Sequence, residues 1–198
     1  MIDKAIKFLR DQLNDHLTTV IPLGTPDRVV ISNVVQQEEG SGNPSSLTDL
    51  KDDSILLSLI HLEEERVFKD QRKTALGSGG NVQYREPDIR INLYLLYSSH
   101  FTNYLTGLQN LSEVLQYYQA NNVFDQTVYP GLNASIGRLI VDLHTFSLDQ
   151  SFQFWQSLGG KFLPSVIYKV RLLVFQDNAI SQTQPPITEV TPNLSNNI

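Results

Sequence analysis

Residues 154–173 read FWQSLGGKFLPSVIYKVRLL. The run holds a helix end, a double-glycine stop at Gly159-Gly160, a proline at Pro164 and a strand, in that order. Glycine adopts the left-handed backbone that ends a helix, and the residue after proline is free to begin an extended segment. In the strand, Val166, Tyr168, Val170, Leu172 and Val174 share one face, and Lys169 and Arg171 share the other. Upstream, Ser147 and Gln150 have capping-box spacing and open a helix over 148–158, with Leu148, Phe152, Trp155 and Leu158 expected on its apolar face. Trp155 is the single tryptophan and reads as a core residue. The stretch specifies a helix packed on a sheet, with no nucleophile, ligand set or phosphate loop.

The same reading extends outward. Ile2, Ile6, Leu9, Leu13 and Leu17 place one apolar stripe on a helix over 2–18. Residues 28–35 read as a strand, and 36–53 as a polar loop or short helix. The run SILLSLIHLEEERVF at 54–68 is a long strand, apolar in its first half and charged in its second, so it is expected to leave the core and continue as an exposed arm. After a glycine-rich stretch at 69–87 comes a period-two strand over 88–97, antiparallel to the first. The tip between them, long and rich in glycine, is expected to bind a partner. Phe101, Tyr104, Leu105, Leu108, Leu111, Leu115 and Tyr118 predict a helix over 101–120, and Leu139, Val141 and Leu143 a strand over 137–146. From 177 the composition turns to Ser, Thr, Gln, Asn and Pro. The expectation is an α+β domain over 1–176, a mostly antiparallel or mixed sheet flanked by about three helices with a long hairpin arm, followed by a polar extension over 177–198.

Composition narrows the function classes. A chain of 198 residues suffices for one cored domain. It has no cysteine, which removes disulfides, thiolate metal sites and thiol catalysis. With a net charge of −6, a broad nucleic-acid surface is not expected. No run of about 18 apolar residues predicts a membrane helix. His16, His61, His100 and His144 lack metal-ligand spacing, and Gly77-Ser78-Gly79-Gly80 lacks the lysine of a phosphate loop. Neither cofactor nor metal is expected. In the densest charged cluster, alternation sends Glu63 and Glu65 to one face and Glu64 and Arg66 to the other, so Glu64 and Arg66 are candidates for ion pairs across strands or subunits.

Four pieces in order carry a family resemblance: MIDKAIKFLRDQLN at the start, LSLIHLEEERVFK at 57–69, INLYLLYSSHFTNYLTGLQNLSEVLQYYQANNVF at 91–124, and the stretch quoted first. Together they resemble the cap, or tail-terminator, proteins of phage-tail-like contractile injection systems, of antifeeding-prophage and virulence-cassette type. The chain departs from that pattern at His61 and in keeping only Pro87 before the 88–97 strand. The resemblance implies a structural protein rather than an enzyme. It would form a homohexameric ring at the baseplate-distal end, end tube and sheath polymerisation, and couple sheath to inner tube. It implies assembly in a bacterial cytoplasm, then residence in a particle that is released or anchored. By this carry-over Glu64, Glu65, Arg66, Lys169 and Arg171 are interface candidates. The alternatives are another ring, adaptor or baseplate component, or a small-molecule-binding domain.

Overall fold

The computed structural model describes residues 1–21, 28–33, 53–65, 90–158 and 162–172, and the backbone alone of 74–76, 82–84, 173–174 and 182–184. The elements in chain order are α1 (Ile2–Val20), β1 (Val29–Ile31), β2 (Ser54–Glu64), β3 (Thr74–Leu76), β4 (Val82–Tyr84), β5 (Arg90–His100), α2 (Tyr104–Ala120), β6 (Val123–Asp125), β7 (Ile136–His144), α3 (Leu148–Leu158), β8 (Ser165–Val174) and β9 (Gln182–Gln184). Six strands form one sheet in the order β1-β2-β5-β8-β7-β6. Only β1 and β2 run parallel, and every other pair is antiparallel. A parallel pair needs a crossover of a dozen residues or more, and the chain between Ile31 and Ser54 supplies that length. The class is α+β with a mixed sheet, as the sequence implied.

β3, β4 and β9 pair separately. Two of these strands fall in the glycine-containing stretch 69–87, and β9 falls in the polar extension after 177. The rest of the arm, the double glycine and the remaining extension lie outside the described residues.

Alternation divides the sheet into two faces. Val29, Ile55, Leu57, Leu93, Leu95, Tyr97, Leu139, Val141, Tyr168, Val170 and Leu172 join the apolar faces of α1 and α2 in the main core. From α1 that core takes Ala5, Ile6, Phe8, Leu9, Leu13 and Leu17, the expected stripe with Ala5 and Phe8 added and Ile2 only partly buried against it. The Asn14 side chain accepts from the backbone N–H of Arg28 at 2.7 Å, fixing the start of β1 against the helix. Arg28 is buried, and its guanidinium donates to the Ile21 carbonyl at 2.7 Å and to Asn110 Oδ1 at 3.4 Å, tying the end of α1 to α2.

Two expectations are corrected. The α2 stripe turns differently: Tyr104 and Leu105 are exposed, and Gly107, Asn110, Leu111, Val114, Tyr117 and Tyr118 face inward. Helical spacing allowed either face. Close approach to β5 selects the one with glycine, since a Cβ at position 107 would lie 2.4 Å from Ser99 Oγ and 3.3 Å from Phe101 Cβ. On α3, Leu148 and Phe152 are exposed and Trp155 is the buried residue. α3 crosses the second face of the sheet, where the buried core among the described residues is Leu96, Trp155 and Ile167, with partly buried neighbours.

The helix starts obey local chemistry. Gln150 N–H donates to Ser147 Oγ at 3.3 Å and Ser147 N–H to Gln150 Oε1 at 2.9 Å, completing the capping box. α2 begins after Asn103, whose Oδ1 accepts from the N–H of Leu105 at 3.0 Å and of Thr106 at 3.2 Å. That cap stops the helix from reaching back to Phe101. Asn103→Ala should cost about 1 kcal/mol, measured as a lower urea midpoint at unchanged slope. An unaltered midpoint would show that water replaces the cap without loss.

Candidate interaction face

α3 covers one end of the second sheet face, and at the other end the described residues present polar side chains. Register sets the side chains there in rows. One row crosses Glu63, Asn92, Arg171 and Ile140, and the next His61, Tyr94, Lys169 and Asp142. Glu63 stands at the hub, accepting from Lys169 Nζ at 3.1 Å, from Tyr94 Oη at 2.9 Å and from Asn92 Nδ2 at 3.1 Å. These donors, the Lys169 ammonium first and the Tyr94 hydroxyl second, hold its carboxyl below the usual carboxylate range. For Lys169, burial is the largest effect and pulls the ammonium down, but the bond to Glu63 and the further attraction of Glu63 and Tyr94 together leave the group above its ordinary value. Tyr94 goes up because of burial, with the bond to Glu63 second. The rings of His61 and His144 flank Tyr94 at 5.5 and 5.1 Å between centroids.

Arg171 forms a second centre, donating from Nε at 3.0 Å and from a terminal nitrogen at 2.6 Å to one oxygen of Asp142. Glu65 Oε2 accepts from Asn92 Nδ2 at 3.0 Å. Arg90, Arg138, Arg171 and Glu65 border a shallow depression of about 240 Å³ beside these rows.

The five interface candidates are thus distributed. Glu65, Lys169 and Arg171 share the open face. Glu64, paired with Ile91, lies on the helix side of the sheet. Arg66 lies outside the described residues. Sequence reasoning passed over Glu63, Tyr94, Asn92 and Asp142, whose roles follow only from strand register. Tyr94 and Asp142 each stand opposite Lys169, and no one-dimensional signal reports that.

Chemically the face holds matched charges rather than an activated group. Its ion pairs are solvent-facing, and exposed pairs contribute at most about 1 kcal/mol each, so they are poorly explained as stability devices. Among the described residues no group of three or more His, Asp or Glu is placed to hold a metal ion, and no helix is long and apolar enough to cross a membrane. A broad polar sheet face with exchangeable ion pairs is suited to contact another protein surface.

Comparison with known proteins follows the same line. No curated protein sequence matches the chain. The fold is similar to the PVC sheath/tube terminator of an extracellular contractile injection system, solved in the extended state. The TM-score there is 0.63 at 16 % identity, over 100 % of this chain and 64 % of that one. It is also similar to the tube-terminating cap of the anti-feeding prophage, with a TM-score of 0.50 at 16 % identity, over 70 % of this chain and 48 % of that one. The chain therefore spans less than two thirds of the length of either terminator. The sequence profile of the Pvc16 N-terminal domain matches residues 4–189, nearly the whole chain, and the chain belongs to that family.

Proposed function

We propose that this chain is the terminator of a contractile injection particle. Six copies form a ring at the baseplate-distal end, stop tube and sheath polymerisation, and hold the last sheath layer to the inner tube. The observation that carries this reading is the family match over residues 4–189, joined to a fold shared along the whole chain with a sheath/tube terminator. Its partners are further copies of itself, the tube protein and the sheath protein. Assembly takes place in the bacterial cytoplasm, and the protein then stays with the particle. The work is structural, with no reaction and no cofactor.

On this reading Glu64, Glu65, Arg66, Lys169 and Arg171 contact neighbouring subunits. Lys169 and Arg171 already hold Glu63 and Asp142 at 3.1 and 2.6 Å, so an acidic partner group meets them by exchange of ion pairs. Exchange of one pair for another costs little and favours a partner of matched geometry.

The test is electron microscopy of particles from cells lacking the gene, beside the parent. Tubes and sheaths of uncontrolled length with open, frayed ends are expected, restored by the gene in trans. Capped particles of normal length in the deletion strain would overturn the proposal.

A further inference from the structure

Three arginines gather at the polar end of the second sheet face. Arg90 on β5 and Arg138 on β7 stand on either side of Leu173, and Arg171, opposite Ile140, is in the adjoining row. All three border the depression of about 240 Å³, and Glu65 is the one carboxylate among its described lining residues. Arg90 and Glu65 have further partners and form its rim. Arg138 has no ion pair among the described residues. Its cross-strand neighbour Asp125 turns back instead, accepting from the Thr127 hydroxyl and from the Val128 N–H at 3.1 Å. Arg171 gives Nε and one terminal nitrogen to Asp142 at 3.0 and 2.6 Å, which leaves its second terminal nitrogen outside that bond.

Like charges held this near one another repel, and a carboxylate received between them relieves the repulsion. The planar guanidinium matches a carboxylate in geometry as well as charge, since its N–H donors lie in one plane facing the two oxygens. A carboxylate arriving here joins Asp142 on Arg171 without displacing it. The chain as a whole carries −6, so such a group is drawn by this one position and not by bulk attraction.

We infer that Arg138 and Arg171 seat the carboxylate of an aspartate or glutamate carried by a different protein of the particle. A second copy of this chain fits less well, because its described carboxylates are largely engaged. Asp3 is held by the N-terminal ammonium and Asp11 by Arg10, each at 2.9 Å, Glu63 by Lys169 and Asp142 by Arg171. The inference rests on the terminator reading for the setting in which the acidic partner is met, and it adds Arg138 to the contact residues proposed there.

The test places a reactive amine at the seat. Arg138→Lys keeps the charge, and carbodiimide treatment of intact particles then joins that amine to a carboxylate in contact with it. Sequencing the peptide cross-linked through position 138 names the occupant. An amide to an aspartate or glutamate of another particle protein is the expected product. An amide into the same chain or a second copy, or no amide, overturns the inference. In parallel, Arg138→Glu should lower the amount of chain retained on particles by about 10-fold or more, while the urea midpoint of the purified chain stays that of the parent. If that variant does not fold, Arg138→Gln is read in its place. Retention equal to the parent overturns the inference and leaves the terminator reading intact, whereas capped particles of normal length in the deletion strain overturn the terminator reading itself.

Discussion

Trp155→Ala should lower the unfolding free energy by about 3 kcal/mol and the melting temperature by roughly 6–12 °C. Trp155 is 4 % exposed and is the only buried residue of α3. The helix is held to the sheet through Trp155 against Leu96 and Ile167, with Phe154 and Phe162 ring centroids 5.9 and 5.7 Å away. Large aromatic truncations cost about 3–5 kcal/mol, and the lower end applies here. The space vacated opens into a cleft of about 340 Å³ that Trp155 already lines with Phe146 and Phe154, so water enters and no sealed void remains. Trp155→Phe, which keeps most of the apolar contact, should lose about half as much. Urea unfolding followed by far-ultraviolet circular dichroism measures both, since the variants lack the single tryptophan as a fluorophore. A loss below about 1 kcal/mol for the alanine variant would mean that α3 is anchored by its partly buried residues instead.

The same helix shows where sequence reading holds and where it runs out. Its start, its end and the following strand were legible, because Ser147, Gln150 and Pro164 act through covalent geometry and neighbours in sequence. Which residues it buries was not. Leu148, Phe152, Trp155 and Leu158 share one side of the helix, but α3 meets only the end of the sheet, so the contact reaches Trp155 and leaves Leu148 and Phe152 in solvent. On α2 the apolar stripe was likewise ambiguous. The outcome turned on Gly107 and Asn110, small and polar residues that ordinary patterning assigns to the outside, and on Arg28 reaching Asn110 from β1. Alternation correctly put Lys169 and Arg171 opposite Tyr168. Their partners Glu63 and Asp142 are set by register between strands 106 and 29 residues apart in sequence, a separation that carries no local signal. The register shift at the β2 bulge between Leu59 and His61 is equally invisible in the run SLIHLEE.

Raising the pH above 10 should unfold the domain in one steep step near pH 11–12, because its core is built on tyrosine. Tyr97, Tyr117, Tyr118 and Tyr168 are all buried in the main cluster, and the Tyr97 and Tyr118 hydroxyls share a hydrogen bond of 2.6 Å. Burial disfavours the phenolate. It pushes Tyr117 and Tyr168 up to about 12, and raises Tyr97 and Tyr118 well above the ordinary phenol value. In the unfolded chain all four release their protons near pH 10. Below that pH both states hold the protons, and this contribution to stability is complete and independent of pH. Above it the unfolded state loses protons first, and stability falls by up to about 1.4 kcal/mol per pH unit for each tyrosine. Four together give a slope of about 5 kcal/mol per pH unit, against a total stability of about 5–15 kcal/mol for a domain. The fold is therefore lost before the buried hydroxyls can ionise in place. Phenolate absorbance at 295 nm from these tyrosines should rise in the same cooperative step as the loss of circular dichroism, and both should reverse on return to pH 8. Tyr118→Phe removes one titrating group and should shallow the alkaline limb by about a quarter, while leaving the Tyr97 hydroxyl unpaired at a cost of about 1–3 kcal/mol at neutral pH. A native far-ultraviolet spectrum persisting through pH 12, with phenolate absorbance rising gradually beneath it, would show that the cluster admits water and that the tyrosines do not bind the core together.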